Sequence, residues 1–283
     1  MIMQALKVFL ITFFFCLALD IYSMTAINTA ATGMAAQETN VNTISNNIAN
    51  VNTTGFKRGR AEFEDLIYET RNEAGSRSSG NSLYNVGTQI GTGARVSAVR
   101  NEFSAGNPQV TNNPYDLMIS GEGFFGIIMP NNELRFTRDG AFSADANGIL
   151  VTKQGYKVFP TFTIPPNAKS MSISENGVVD IYLNDQLEPT TLGVLPLFTF
   201  INNAGLKESG GNLYRATQSS GAPIQGVPGE GIVGAIMQGT LETSNVNIMT
   251  EMTNLIRAQR AYEMNAKVMG VADQMLQTAT NIR

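Results

Sequence analysis

The strongest constraint on the fold is an almost uncharged apolar repeat between Met24 and Asn52. Mainly apolar residues recur there every seven positions, in one column of Ile27, Met34, Val41 and Ile48 and a second column of Ala30, Gln37, Ile44 and Val51. This spacing predicts a coiled-coil helix over residues 24–54, with a polar break at Gln37. The chain therefore needs a partner for at least one long helical face.

The outer surface of this predicted helix lacks the charges that a solitary surface helix carries. Glu38 is the only charged residue between Met24 and Asn52. Gly33 should cost about 1 kcal/mol in a helix interior, which indicates close approach of a neighbouring backbone. We therefore expect this helix to pack between several copies of the chain. A simple pair formed by the two terminal helices of one chain is the alternative.

A second heptad repeat lies near the C-terminus. Its members are Ile248, Leu255, Tyr262, Met269 and Leu276. The repeat predicts a C-terminal coiled-coil helix over residues 239–283. Both ends of the chain are thus expected to be helical.

The middle of the chain has a different pattern. Residues 95–238 contain short apolar runs separated by Gly, Pro and Asn, which predict strands. Predicted turns lie at Asn131-Asn132, Asp139-Gly140, Asn147-Gly148 and Asn176-Gly177. Residues 55–94 are predicted to be an extended linker region, and their interleaved charges, including Lys57, are expected on a solvated or subunit-facing surface. The predicted fold class is α+β, with N- and C-terminal coiled-coil helices flanking a central all-β domain.

Composition argues against catalysis. The 283 residues include no histidine, which removes the usual general base near neutral pH and imidazole metal ligands. Cys16 is the single cysteine, so neither a disulfide framework nor a thiolate metal cage is expected. A net charge of −4 offers no basic field for nucleic acid. We expect no enzyme activity, no catalytic or metal site and no nucleic-acid partner.

One string resembles a dinucleotide-binding motif. Residues 121–126 read GEGFFG, which matches G-x-G-x-x-G. That motif needs a helix directly after the glycines, whereas this string continues into the strand-like run FFGIIM. We interpret the glycines as part of a tight hairpin and expect no cofactor.

Residues 1–23 form an apolar leader. They allow three interpretations: a misassigned start with Met24 as the true initiator, a signal peptide, or a short membrane anchor. The apolar run is short for a membrane span of roughly 20 residues. Ile21-Tyr22-Ser23 is also a poor small-x-small cleavage site.

Asparagines are concentrated at the end of the first predicted helix, in the stretch ISNNIANVNTTGFKR at residues 44–58. Asn52 and Gly55 can end the helix. Asn47 and Asn50 belong to neutral polar rows beside the apolar columns. Uncharged amides can donate and accept between stacked copies without burying a charge, so we predict an inter-subunit hinge here.

Three stretches together resemble signatures of the flagellar rod and hook protein family. They are residues 24–60, MTAINTAATGMAAQETNVNTISNNIANVNTTGFKRGR, residues 115–126, YDLMISGEGFFG, and residues 239–269, GTLETSNVNIMTEMTNLIRAQRAYEMNAKVM. The resemblance covers nearly the whole chain from Met24. Residues 1–23 depart from it, because family members begin near the position of Met24, and this favours the misassigned start.

The resemblance implies a structural subunit that self-assembles into the distal rod of the bacterial flagellar basal body, a periplasm-spanning tubular drive shaft. The implied partners are further copies in a helical homo-oligomer, other rod subunits, the hook protein, the surrounding rings and the type III export apparatus. The expected self-assembly interface is Ile27, Met34, Val41, Ile44, Asn47, Ile48, Asn50, Leu255, Tyr262, Met269 and Leu276.

Two alternatives stay open at this point. A hook or proximal rod subunit would share the same signatures. A membrane-anchored periplasmic β domain that binds an envelope component would instead use residues 1–23 as its anchor.

Overall fold

The computed structural model describes residues 2–75, 77–79, 82–83, 85–183 and 188–281. Over these residues, helices at the N- and C-terminal ends flank a β-rich central region. Met1 and the side chains of the predicted leader lie outside the described part of the chain, although the leader backbone from Ile2 is helical. Neither helix, within the described residues, combines the length and apolar content that a membrane span requires.

The elements follow one another along the chain. They are α1 (Ile2–Ala49), β1 (Gly59–Asp65), β2 (Tyr68–Asn72), β3 (Arg77–Ser79), β4 (Ser82–Leu83), β5 (Thr88–Gly91), β6 (Ala94–Asn101), β7 (Pro108–Val110), β8 (Leu117–Ser120), β9 (Phe125–Ile128), β10 (Leu134–Thr137), β11 (Phe142–Ala144), β12 (Leu150–Thr152), β13 (Lys157–Phe159), β14 (Ala168–Ile173), β15 (Val178–Leu183), β16 (Thr190–Val194), β17 (Leu197–Thr199), β18 (Lys207–Glu208), β19 (Leu213–Arg215), β20 (Ile224–Gly226), β21 (Ala235–Gln238), β22 (Thr240–Glu242) and α2 (Ile248–Asn281).

The described chain divides into two compact units. The helical unit consists of Met1–Asn46, Gly59–Arg100 and Met249–Arg283, and the β unit consists of Asn47–Arg58 and Asn101–Ile248. In the helical unit, β1 pairs with β6 and β2 with β5. Across β1 and β6, Arg95 pairs with Glu64, and Arg100 lies 3.1 Å from Glu62. These opposite charges lie between strands, which explains why a charged stretch predicted as a linker contains strands.

The β unit is built around the sheet β11-β12-β13-β9-β10-β19-β18. A second sheet, β14-β15-β16, and the pairs β17-β20, β21-β8 and β22-β7 complete it. One buried cluster includes Leu117, Ile127 and Ile236. A second, largely aromatic cluster includes Phe124 and Phe136. Burial of these side chains, at about 1.5–3 kcal/mol each, stabilises the unit.

Asparagine-containing turns join neighbouring strands of the β unit. Register places residues 129–133, 145–149 and 174–177 between paired strands, which matches the turns predicted from Asn131-Asn132, Asn147-Gly148 and Asn176-Gly177. Gly148 and Gly177 have φ of +71° and +75°, a backbone region that favours glycine. The turn residues therefore determine where each strand ends.

Some boundaries differ from the sequence-based ones. Helix α1 ends at Ala49 and is followed by turns, so Asn50–Thr54 lie outside it. Helix α2 begins at Ile248, and the preceding predicted helical residues 240–242 form β22. Lys57 was expected on a surface, but it is only 1% exposed. Its ammonium group lies against a buried carboxylate.

Candidate assembly surface

The predicted apolar columns of α1 lie on its more buried side. Ile44 is buried, and Ile27, Met34, Val41 and Ile48 are half-buried. Ala30 and Ala36 are also buried. The heptad spacing therefore identified a face of α1 that the rest of the chain partly covers.

Helix α2 contains a buried column that the sequence analysis missed. Glu251, Ala258 and Ala272 are each 3% exposed or less, and half-buried Asn265 occupies the same heptad position. Because its residues are polar or small, a search for large apolar side chains does not find this column. The sequence contained one sign of this column, a second seven-residue repeat that lies three residues after the predicted one.

The predicted α2 interface residues lie beside this column. Leu255, Met269 and Leu276 are half-buried, whereas Tyr262 is 43% exposed. Their partial exposure leaves apolar surface that a further helix can cover.

Gly33 lies at a close approach between α1 and α2. A Cβ atom added at Gly33 would lie 2.8 Å from the Nδ2 atom of Asn265. The neighbour is thus a side chain, where the sequence analysis expected a backbone. Because Gly33 has no side chain, the side chain of Asn265 can pack closely against α1.

Beyond the buried column, α2 carries exposed apolar side chains along its length. In the described part of α2, the following are between 43% and 77% exposed: Met249, Met252, Ile256, Met264, Val268, Val271 and Met275. Isolated exposed apolar residues are ordinary, but so many on one helix indicate a surface that a partner covers.

The two asparagines of the predicted hinge have different surroundings. Asn47 is 2% exposed, so its side chain is buried within the chain. The Oδ1 atom of half-buried Asn50 accepts a hydrogen bond of 3.1 Å from the Thr53 hydroxyl, in the turn after α1. Their assignment to contacts between subunits stays a prediction.

Comparison with known proteins identifies the family. Residues 27–57 match the description "Flagella basal body rod protein", residues 118–181 match "Flagellar hook protein FlgE/F/G D1 domain", and residues 237–282 match "Flagellar basal body rod FlgEFG protein C-terminal". The flagellar basal-body rod protein FlgG of Borreliella burgdorferi is 47% identical over 262 residues, which cover 92% of this chain and 99% of the relative. The chain belongs to the FlgG family of flagellar basal-body rod proteins.

Other FlgG relatives have similar coverage. The FlgG protein of Caulobacter vibrioides is 47% identical and covers 92% of this chain and 100% of its own length. The FlgG protein of Bacillus subtilis is 37% identical over 89% of this chain and 96% of its own. The flagellar hook protein FlgE2 of Helicobacter pylori covers 66% of this chain and 43% of its own at 17% identity, with a TM-score of 0.24, too low to support a fold argument.

The matches to rod proteins include both terminal helices. The match at residues 27–57 contains the predicted columns and the C-terminal part of α1, and the match at 237–282 contains all of α2. The matches to the rod-protein family models therefore coincide with the helices that carry the candidate assembly surface.

Proposed function

We propose that this chain is a structural subunit, without enzymatic activity, that self-assembles through its terminal helices into the tubular distal rod of the flagellar basal body. The tube would span the periplasm and transmit torque from the motor to the hook. The observation that carries this proposal is the exposed apolar surface of α2, because a rod subunit must present such surface to identical neighbours.

The proposed interface joins the predicted columns of both helices in coiled-coil contacts between copies. Its residues are Ile27, Met34, Val41, Ile44, Asn47, Ile48, Asn50, Leu255, Tyr262, Met269 and Leu276. The exposed apolar residues of α2 extend it. Other rod subunits, the hook protein, the basal-body rings and the type III export apparatus are the proposed further partners.

Electron microscopy and limited proteolysis of the purified protein test this function. A dilute monomer should lose both terminal helices and retain the β unit, Asn47–Arg58 and Asn101–Ile248, because the helices lack their neighbours. Raising the concentration should produce tubular polymers whose termini resist the protease. Termini that resist cleavage in a verified monomer, or a protein that stays monomeric at every concentration, would contradict the proposal.

Substitution at Gly33 tests whether α1 and α2 of one chain pack together within the polymer. Gly33→Leu places a side chain where Asn265 lies, and overpacking of this kind costs about 1–3 kcal/mol. The concentration needed for polymerisation, measured by sedimentation, should rise about tenfold or more, at about 1.4 kcal/mol per tenfold. Adding Asn265→Ala to the same chain should reverse most of the loss. A double variant as defective as the single one would show that this helix contact is not used.

A further inference from the structure

A buried charge cluster lies in the β unit. The Nζ atom of Lys57 lies 2.6 Å from the Oε1 atom of Glu242, and both side chains are fully buried. The Nη1 atom of Arg138 lies 3.6 Å from the Oε2 atom of the same carboxylate, and the Arg138 side chain is 2% exposed. The buried carboxylate of Glu242 thus forms ion pairs with both cations.

Backbone groups hold this cluster in place. The ammonium group of Lys57 donates to the carbonyl oxygen of Ser104 at 2.7 Å. The backbone N–H of Gly106 donates to the Oε1 atom of Glu242 at 2.9 Å. The Arg138 guanidinium also lies 5.3 Å from the ring centroid of Phe124, which belongs to the aromatic cluster. The charge cluster is therefore continuous with the core of the β unit.

The Glu242 carboxylate favours the charged form of both cations. Burial lowers the pKa of Lys57, and the nearby Glu242 carboxylate opposes that effect. Burial also lowers the pKa of Arg138, and Glu242 again opposes it. Without the carboxylate, the unit would bury positive groups whose hydration has been lost, which costs far more than burying a paired group.

The carboxylate comes from the end of the β unit, and the cations come from much earlier in the chain. Lys57 precedes Glu242 by 185 residues, and Arg138 precedes it by more than a hundred. The segment 235–246 that carries Glu242 also supplies β21, which pairs with β8, and β22, which pairs with β7.

The same segment is tied to the N-terminal part of the β unit. The backbone N–H of Gly55 donates to the carbonyl oxygen of Glu242 at 2.8 Å. The Oδ1 atom of Asn245 accepts from the backbone N–H of Arg58 at 2.7 Å, and its Nδ2 atom donates to the carbonyl oxygen of Glu102 at 2.8 Å. Residues 47–58 and 101–234 are therefore joined by a segment that comes last in the unit.

We infer that Glu242 completes the folding of the β unit. The ion pair of Lys57 forms only when the final strands arrive, and Arg138, which Glu122 also stabilises, gains its ion pair with Glu242 at the same step. The unit therefore becomes stable only when residues 235–246 dock. A chain that emerges N-terminus first, from a ribosome or from an export channel, would stay unfolded until nearly all of it is available.

Full-length Glu242→Gln tests the inference, with Glu230→Gln as the matched control. Glu230 is an exposed carboxylate in the same unit. Urea unfolding can be followed by tyrosine near-UV circular dichroism, because the chain has tyrosines and no tryptophan. Glu242→Gln should raise the unfolding equilibrium constant about 100- to 1,000-fold, and Glu230→Gln should leave it within about twofold. Equal effects of the two substitutions would overturn the inference.

Native-state hydrogen exchange separates closure of the whole unit from a local effect. In Glu242→Gln, protection should fall together across β9, β10 and β19, which lie in the central sheet, as well as in β22. Loss confined to β7 and β22 would mean that Glu242 holds only the strands around it, and the inference would be wrong.

A second substitution tests the role of charge. Lys57→Met removes one uncompensated cation, so adding it to Glu242→Gln should recover at least about tenfold in the unfolding equilibrium constant. If Glu242→Gln does not fold, the double variant should regain a cooperative transition. A double variant that is no more stable than Glu242→Gln would contradict the charge argument.

Discussion

Ile256→Asp should raise the concentration needed for polymer formation about a hundredfold and leave the β unit folded. Ile256 is 51% exposed on α2 in a single chain, so an aspartate there remains hydrated in the monomer. In the proposed polymer the same position is covered by a neighbour, and burying an unpaired carboxylate costs several kcal/mol. A loss of about 3 kcal/mol per contact corresponds to roughly a hundredfold rise in the concentration needed for polymerisation.

Sedimentation of the variant over a range of concentrations measures this effect, and near-UV circular dichroism checks that the β unit is intact. Gln259→Asp is the matched control, because Gln259 is an exposed polar residue on the same helix. We expect the control to polymerise nearly as the unmodified chain does. If Ile256→Asp polymerises at the same concentration as the unmodified chain, α2 does not belong to the interface.

Phe124→Ala should cause the largest loss of stability in the β unit. Phe124 is fully buried, and its ring packs edge-on against Phe103, Phe200 and Tyr214 at centroid distances of 5.5, 5.8 and 5.9 Å. Truncating a buried phenylalanine to alanine costs about 3–5 kcal/mol. The variant also loses the contact with the Arg138 guanidinium, which contributes about 0.5–2 kcal/mol.

Urea unfolding at equilibrium tests this expectation. Ile201→Ala serves as the control, because Ile201 lies in the same unit and is 85% exposed. The control should change the free energy of unfolding by less than about 0.5 kcal/mol. A similar small change for Phe124→Ala would mean that the aromatic cluster does not stabilise the unit as its burial indicates.

The sequence predicted the features that depend on local periodicity. Heptad spacing located both terminal helices, and pairs such as Asn147-Gly148 located turns, because residues close in the chain determine these features. The residues that form the buried column of α2 were harder to predict. Glu251 and Asn265 are polar, and only packing against the rest of the chain covers them.

The buried charge cluster could not be predicted from the sequence. Lys57 lies in a stretch rich in both charges, where a solvated surface is the usual outcome. Its burial depends on a carboxylate 185 residues away and on the carbonyl oxygen of Ser104. Sequence spacing gives no sign of such a contact, because the β-strand pairing that brings the groups together is non-local.

Hydrogen exchange of the monomer and the polymer, compared residue by residue, tests the central claim most directly. If the terminal helices form the interface, amides of residues 25–49 and 248–281 should gain protection on polymerisation by at least about a hundredfold, while the central sheet of the β unit stays unchanged. Protection gained on the surface of the β unit, with both helices exchanging as fast as in the monomer, would contradict it.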